Sequence, residues 1–249
     1  MARWGRMLAE ALSRAVERGQ AGVSGGVLAF SGGLDSSLLA LLMARQGRAP
    51  ELCTVGLKGA RDLAAAERAA SLLGLEGRTV ALVVEEGDVL EAVRRLRSLL
   101  PSATMMELAF TIPLFIVCAR TRERVIFTGD GADELFGGYH RYLRMRPGEL
   151  ESALRADLER LIGNGIQRHR AIARSFGREL VTPYLDDEVV ELARRIPPSE
   201  KVAGGERKLV LREAARLLGL PEELRGAPKR AAQYGSGVMK VLEKHSAFC

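Results

Sequence analysis

The chain has 249 residues, and 37 Lys and Arg against 31 Asp and Glu leave a formal charge of +6. With 47% hydrophobic and 27% charged residues it has a globular composition, not a disordered or fibrous one. This length holds about one to two domains with a core that needs no disulfide or metal staple. A pI near 9.5 raises the question of nucleic acid. However, the basic residues recur singly along helical stretches, as at Arg94, Arg95 and Arg97, and only 5% of residues are aromatic. Solvated helix faces are therefore expected, and nucleic-acid binding is not.

Cys53, Cys118 and Cys249 lie far apart with no CxxC pair, and three His give no zinc spacing. Cys53 and Cys118 read as small buried hydrophobes. The start, Met1-Ala2-Arg3-Trp4-Gly5, lacks the apolar core of a signal peptide, and the apolar run from Leu108 to Ala119 is too short to span a bilayer. A cytoplasmic protein is expected, with no membrane partner.

Apolar residues at Met7, Leu8, Ala11, Leu12, Ala15 and Val16 predict a helix over Arg6 to Arg18. A short strand from Gly26 to Phe30 and a helix from Ser36 to Gln46 follow. The alternation continues with strand Leu52 to Leu57, helix Arg61 to Leu73, strand Thr79 to Val84 and helix Val89 to Leu100. A longer helix, Met105 to Arg120, contains Pro113, where a kink is expected, and strand Arg124 to Thr128 comes next. Four short apolar strands alternating with helices predict an α/β fold, an open parallel sheet with helices on both faces. Beyond Tyr142 the segments Glu149 to Ile162, Ile166 to Ser175, Asp187 to Arg195, Arg207 to Leu218 and Gly237 to Lys244 all read as helices, separated by Gly and Pro. The expected organisation is an α/β domain over 1–147, followed by a mostly helical region over 148–249.

Ser31-Gly32-Gly33-Leu34-Asp35-Ser36-Ser37 stands between the first strand and the helix after it. Backbone N–H groups at a helix start favour anions there, and paired glycines let the main chain approach a phosphate closely. The hydroxyls of Ser31, Ser36 and Ser37 supply further donors. Asp35 would repel bare phosphate, but it suits Mg²⁺, which bridges carboxylate and phosphate oxygens. No lysine follows the glycines, so this is neither a Walker loop nor G-x-G-x-x-G. A second loop, Thr128-Gly129-Asp130-Gly131-Ala132-Asp133-Glu134-Leu135-Phe136-Gly137-Gly138-Tyr139, follows the fourth strand and brings three carboxylates to the same sheet edge. Asp35 and Asp133 could share one Mg²⁺ on a pyrophosphate.

The first loop resembles the S-G-G-x-D-S/T signature of ATP pyrophosphatases. The second is similar to the G-E-G-x-D-E-L-F-G-G-Y stretch in the synthetase domain of asparagine synthetases and the related β-lactam synthetases. Further collinear stretches also resemble that family: Thr182-Pro183-Tyr184-Leu185-Asp186, Lys208-Leu209-Val210-Leu211-Arg212, and Ala227-Pro228-Lys229-Arg230 with Gln233-Tyr234-Gly235. The resemblance implies an adenine-nucleotide α-hydrolase-like sheet and an ATP-dependent, AMP-forming carbon–nitrogen ligase. On that reading a carboxylate, aspartate in the family, becomes an acyl-adenylate with release of pyrophosphate. Ammonia or another amine then displaces AMP.

By the same resemblance Ser31, Gly32, Gly33, Ser36 and Ser37 surround pyrophosphate, and Asp35 and Asp133 hold Mg²⁺. Ala29, Val55, Thr128 and Gly129 surround the adenosine, Lys208 contacts the nucleotide, and Lys229 is the essential lysine. Asp130 is assigned to the acyl-substrate and amine chemistry, although the family usually has glutamate there. Val181 stands where relatives often carry arginine. Phe136 and Tyr139 are expected to pack beneath the carboxylate loop. Arg212 is read equally as a site residue or as solvated charge, and Arg168-His169-Arg170 equally as a polyanion contact or a helix face.

Asparagine synthetases usually begin with a glutaminase domain led by an N-terminal cysteine. Here Ala2 and about 25 residues precede the first strand, so a stand-alone synthetase is expected. Its nitrogen would come from free ammonia, a separate glutaminase subunit or another amine. A homo-oligomer is compatible with the sequence. Two other readings remain open: a tRNA-modifying ATP pyrophosphatase and a non-catalytic nucleotide-binding relative.

Overall fold

The computed structural model describes residues 1–23, 25–226 and 235–245. Five strands form one wholly parallel sheet: β1 (Val27–Ala29), β2 (Glu51–Leu57), β3 (Thr79–Val84), β4 (Val125–Phe127) and β5 (Glu179–Val181). Their order is β3-β2-β1-β4-β5. The expected α/β architecture is present, with one more strand than the four read from the sequence. β5 has three residues, too few for a periodicity to show, and pairs Ile126 with Leu180 and Phe127 with Val181 at the sheet edge.

Alternation along the strands divides the core into two layers. Leu28, Leu52, Val125 and Phe127 pack with one set of buried residues. That set comes from α1 (Ala2–Gly19), α2 (Leu34–Arg45), α3 (Arg61–Leu72), α9 (Asp187–Arg195) and α10 (Leu209–Leu217). Val27, Cys53, Val55 and Ile126 face the opposite layer, built from α4 (Glu86–Leu99), α5 (Met105–Arg120), α8 (Ile166–Ser175) and the helix Val238–Lys244. Segments late in the chain therefore complete both layers. Arg48, beside the β2 end of the sheet, ties back to the end of α1 by donating to the Gln20 carbonyl.

Helix starts follow local chemistry. The Glu107 amide donates to the Thr104 hydroxyl at 3.3 Å, while the Glu107 carboxylate accepts from the Thr104 amide at 2.8 Å, a capping box that opens α5. α5 remains one helix through Pro113. Between α7 (Pro147–Arg160) and α8 a π-helical segment, Leu161–Gly165, joins the two where the sequence predicts a glycine break. Among the described residues no helix is long and apolar enough to cross a membrane. Cys53 and Cys118 are buried, and burial pushes both thiols up to about 12, so they pack as inert apolar groups.

The winding places the site. From β1 the chain moves outward through β2 to β3, then returns to β4 on the other side of β1, and the covering helices change face. The reversal opens a crevice at the carboxyl ends of β1 and β4, where ligands of open α/β sheets bind. Both motif loops leave from those two ends.

Candidate functional site

The first loop begins directly after Ala29 and Phe30. Gly32 has φ +69°, and a Cβ there would strike the backbone of Ala65 and Ala66 in α3, so only glycine fits. Ser31 and Ser36 meet hydroxyl to hydroxyl at 3.3 Å, and the Gly33 amide donates to Ser31 Oγ at 3.4 Å. Ser37 is wholly buried, and its hydroxyl has no hydrogen-bond partner among the described residues. Val55 lies in β2, on the side of β1 away from β4.

In the second loop the Thr128 amide donates to the Val181 carbonyl at 3.0 Å, tying the loop to β5. Left-handed glycines bracket the short helix α6 (Ala132–Phe136), Gly131 at φ +96° and Gly137 at φ +76°. Neighbouring helical side chains diverge by about 100°, which separates the carboxylates of Asp133 and Glu134. Asp133 faces the crevice. Glu134 turns inward, accepts the Tyr139 hydroxyl, and is pushed up to about 7 by burial. The three carboxylates expected at one edge are thus two and one.

Lys208 joins the two loops. Its Nζ donates to Asp35 Oδ1 and Oδ2 at 2.7 and 2.6 Å and lies 2.6 Å from Asp133 Oδ1, with only 4% of the residue exposed. Among the described residues it is the one non-glycine with positive φ, +56°. Such a backbone costs of order 1 kcal/mol and is held by its surroundings. Arg207 beside it donates to the Gly138 carbonyl at 2.6 Å. A Cβ on Gly138 would collide with the Asp133 carboxylate and the Lys208 stem, so this glycine keeps the cluster closed. Tyr184, from the Thr182 to Asp186 stretch, packs edge-on against Phe136 with centroids 6.2 Å apart and donates its hydroxyl to the Asp35 carbonyl at 3.0 Å. Phe136, Tyr139 and Tyr184 thus support the carboxylate loop by packing. Arg212 spends its guanidinium on the carbonyls of Arg207 and Arg225.

A second arrangement was not legible in the motifs. Asp130 Oδ2 accepts the Thr128 hydroxyl at 2.7 Å and lies 2.9 Å from Nδ1 of His169, a residue of α8. Burial works against a charged imidazole there, but the Asp130 carboxylate outweighs it and holds His169 above its ordinary value. A carboxylate only accepts, so Nδ1 carries the proton in this contact and Nε2 is the nitrogen that titrates. Arg168 instead pairs with Glu107 at 2.9 Å. The sequence signal was a histidine between two arginines, which a solvated helix face matches equally well. Lys229 and the Ala227 to Tyr234 stretch lie outside the described residues.

The crevice therefore belongs to an open parallel α/β protein whose two strand-end loops converge on a buried lysine. The asparagine synthase family model matches residues 7–150 and 145–247, and the chain belongs to that family. It is 32% identical over 253 residues to a putative glutamine-hydrolyzing asparagine synthetase of Methanocaldococcus jannaschii, covering 86% of this chain and 46% of that protein. It is 30% identical over 209 residues to the glutamine-hydrolyzing asparagine synthetase B of Escherichia coli, covering 76% of this chain and 37% of that one. The chain thus spans less than half the length of these two relatives. Among solved structures it is similar to an NMN synthetase from Francisella tularensis, with a TM-score of 0.47 and 12% identity, covering 98% of this chain and 85% of that chain.

Proposed function

We propose that the protein is an ATP-dependent, AMP-forming amide ligase that activates a small carboxylate, aspartate first among the candidates, and amidates it with ammonia or another amine. The observation that carries this reading is the convergence of Asp35 and Asp133 on Lys208 at the switch point. Two hard oxygen donors from separate loops meet within the reach of one cation, a donor set that fits Mg²⁺ with phosphate oxygens as its remaining ligands. Among the described residues no group of three or more His, Cys, Asp or Glu side chains gathers into a metal site, consistent with an ion completed by substrate. When bound, Mg²⁺ neutralises charge on the leaving pyrophosphate.

In this reading the backbone of Ser31, Gly32 and Gly33, with the hydroxyls of Ser36 and Ser37, cradles pyrophosphate. Ala29, Val55, Thr128 and Gly129 border the adenosine. Carboxylate oxygen attacks the α-phosphorus as the bond to the pyrophosphate oxygen breaks. Lys208, released from its carboxylates by nucleotide, stabilises the charge together with Lys229. The amine nitrogen then forms a bond to the acyl carbon as AMP leaves with the electron pair of the C–O bond. The proton lost from nitrogen passes to the Asp130–His169 pair, through Nε2 of the imidazole. Nitrogen arrives as free ammonia, from a separate glutaminase or as another amine.

Carboxylate-dependent exchange of labelled pyrophosphate into ATP, measured without any amine, tests the first half-reaction. Exchange with aspartate or another member of a carboxylate panel is the expected result. Absence of exchange across the whole panel would overturn the reading.

A further inference from the structure

Behind the carboxylate loop, between α6, α7 and α9, lies a cavity of about 410 Å³ that the nucleotide crevice does not use. Its apolar wall is made by Leu154, Leu158, Ile162 and Ile196, and Glu134 and Lys201 also line it. Lys201 is only 6% exposed. Its backbone is fixed at both ends: the amide donates to the Pro198 carbonyl at 3.0 Å, and the carbonyl accepts the Leu209 amide at 3.0 Å. Its amine, by contrast, makes no hydrogen bond or ion pair among the described residues.

A lysine stem is long enough to carry its charge to water, and that is the usual outcome at a surface. Here the amine is kept beside an apolar wall, and burial pushes it down to about 8, with the Glu151 carboxylate opposing only in part. The side chain is buried and its amine opens into the cavity beside that apolar wall; an ammonium held there without a hydrogen-bonded counter-ion is costly, so the cavity is completed by an anion. The rim is mixed: Arg155 and Arg195 favour an anion, Glu151 and Glu159 oppose it, and Arg194 is paired with Glu191 at 3.1 Å. The remaining lining asks for carbon.

We propose that this cavity binds a small carboxylate with an apolar chain, its carboxylate paired with Lys201 and its chain against Leu154, Leu158 and Ile196. The site stands next to the crevice without being part of it. Glu134 directly follows Asp133, and the Lys201 carbonyl holds the amide just after Lys208. An occupant therefore bears on both halves of the Asp133–Lys208 contact. The assignment does not depend on the ligase reading.

Calorimetry on the whole chain at neutral pH with 4-methylpentanoate, 4-methylpentan-1-ol and leucine tests it. The carboxylate should bind saturably and the alcohol at least about tenfold more weakly, the scale of one charged hydrogen bond. Lys201→Met should lose affinity by about the same factor. Leu158→Trp, which fills the cavity and keeps the amine, should lose it too. Leucine binding as tightly as 4-methylpentanoate or tighter assigns the site to an amino acid; weaker binding assigns it to a simple carboxylate. The proposal is overturned if no probe binds saturably, if the alcohol binds as well as the carboxylate, or if Lys201→Met retains full affinity.

Discussion

The Asp35–Lys208–Asp133 cluster and the Asp130–His169 pair share one loop, yet they hold charge differently. In the first, two carboxylates from different strand ends flank a nearly sealed lysine, and the backbone is bent into a left-handed conformation to deliver it. In the second, one carboxylate meets one imidazole and a hydroxyl, and the carboxylate holds the imidazole above its ordinary value. The first arrangement gathers three charged side chains on a strained backbone. The second is suited to moving a proton. On the proposed function, one loop would serve both halves of the reaction by separating its carboxylates in space.

The largest expected effect comes from breaking the first region. Lys208→Met removes the ammonium that bridges the two carboxylates, a loss of about 3–5 kcal/mol for a disrupted buried ion cluster. It should also slow pyrophosphate release by about 10²–10³-fold. Chemical denaturation and pyrophosphate assays check the two numbers. Adding Asp35→Asn should restore part of the stability but none of the rate, because the partners are coupled.

Gly138→Ala tests the same cluster from its edge. The new methyl must displace the Asp133 carboxylate or the Lys208 stem, which should cost about 1–3 kcal/mol by overpacking. It should lower turnover by shifting Asp133 or Lys208, although residue 138 itself carries no functional group. Normal turnover would show that the tight closure is incidental.

The smallest effect belongs to the second region. His169→Gln should lower amide formation about tenfold at neutral pH, toward the low end for a lost acid–base group, and should leave amine-free pyrophosphate exchange intact. Because Asp130 holds the folded-state value of His169 above the ordinary 6.5, the pair's stabilisation is complete below that ordinary value. It is lost as pH rises through the folded-state value. The stability difference between wild type and His169→Gln should therefore shrink on going alkaline, and the acid limb of the rate profile should vanish in the variant. An unchanged profile would assign His169 to packing alone.

These contrasts also explain what could be read early. Strands β1 to β4 stood out because parallel strands covered on both faces become apolar runs, and glycine-rich loops after two of them mark phosphate-binding ends. β5 did not, since Glu179, Leu180 and Val181 are too few to show a period. Asp35 and Asp133 were legible because their loops carry motifs, and Lys208 was legible as a nucleotide contact through its resemblance to a family helix, whereas its pairing with both carboxylates was not. His169 was hidden because a histidine on a charged helix face reads as solvated. Only the packing of α8 behind the second loop turns it toward Asp130. Glu134 was misplaced because sequence adjacency to Asp133 conceals the rotation that a single helical residue introduces.

One reaction tests the central claim most directly: the protein with ATP, Mg²⁺, aspartate and ammonium, with nucleotide products and amide measured together. The account predicts AMP, pyrophosphate and asparagine in equal amounts, all lost in Lys208→Met. Formation of ADP and phosphate, or amide formation undiminished in Lys208→Met, would contradict it.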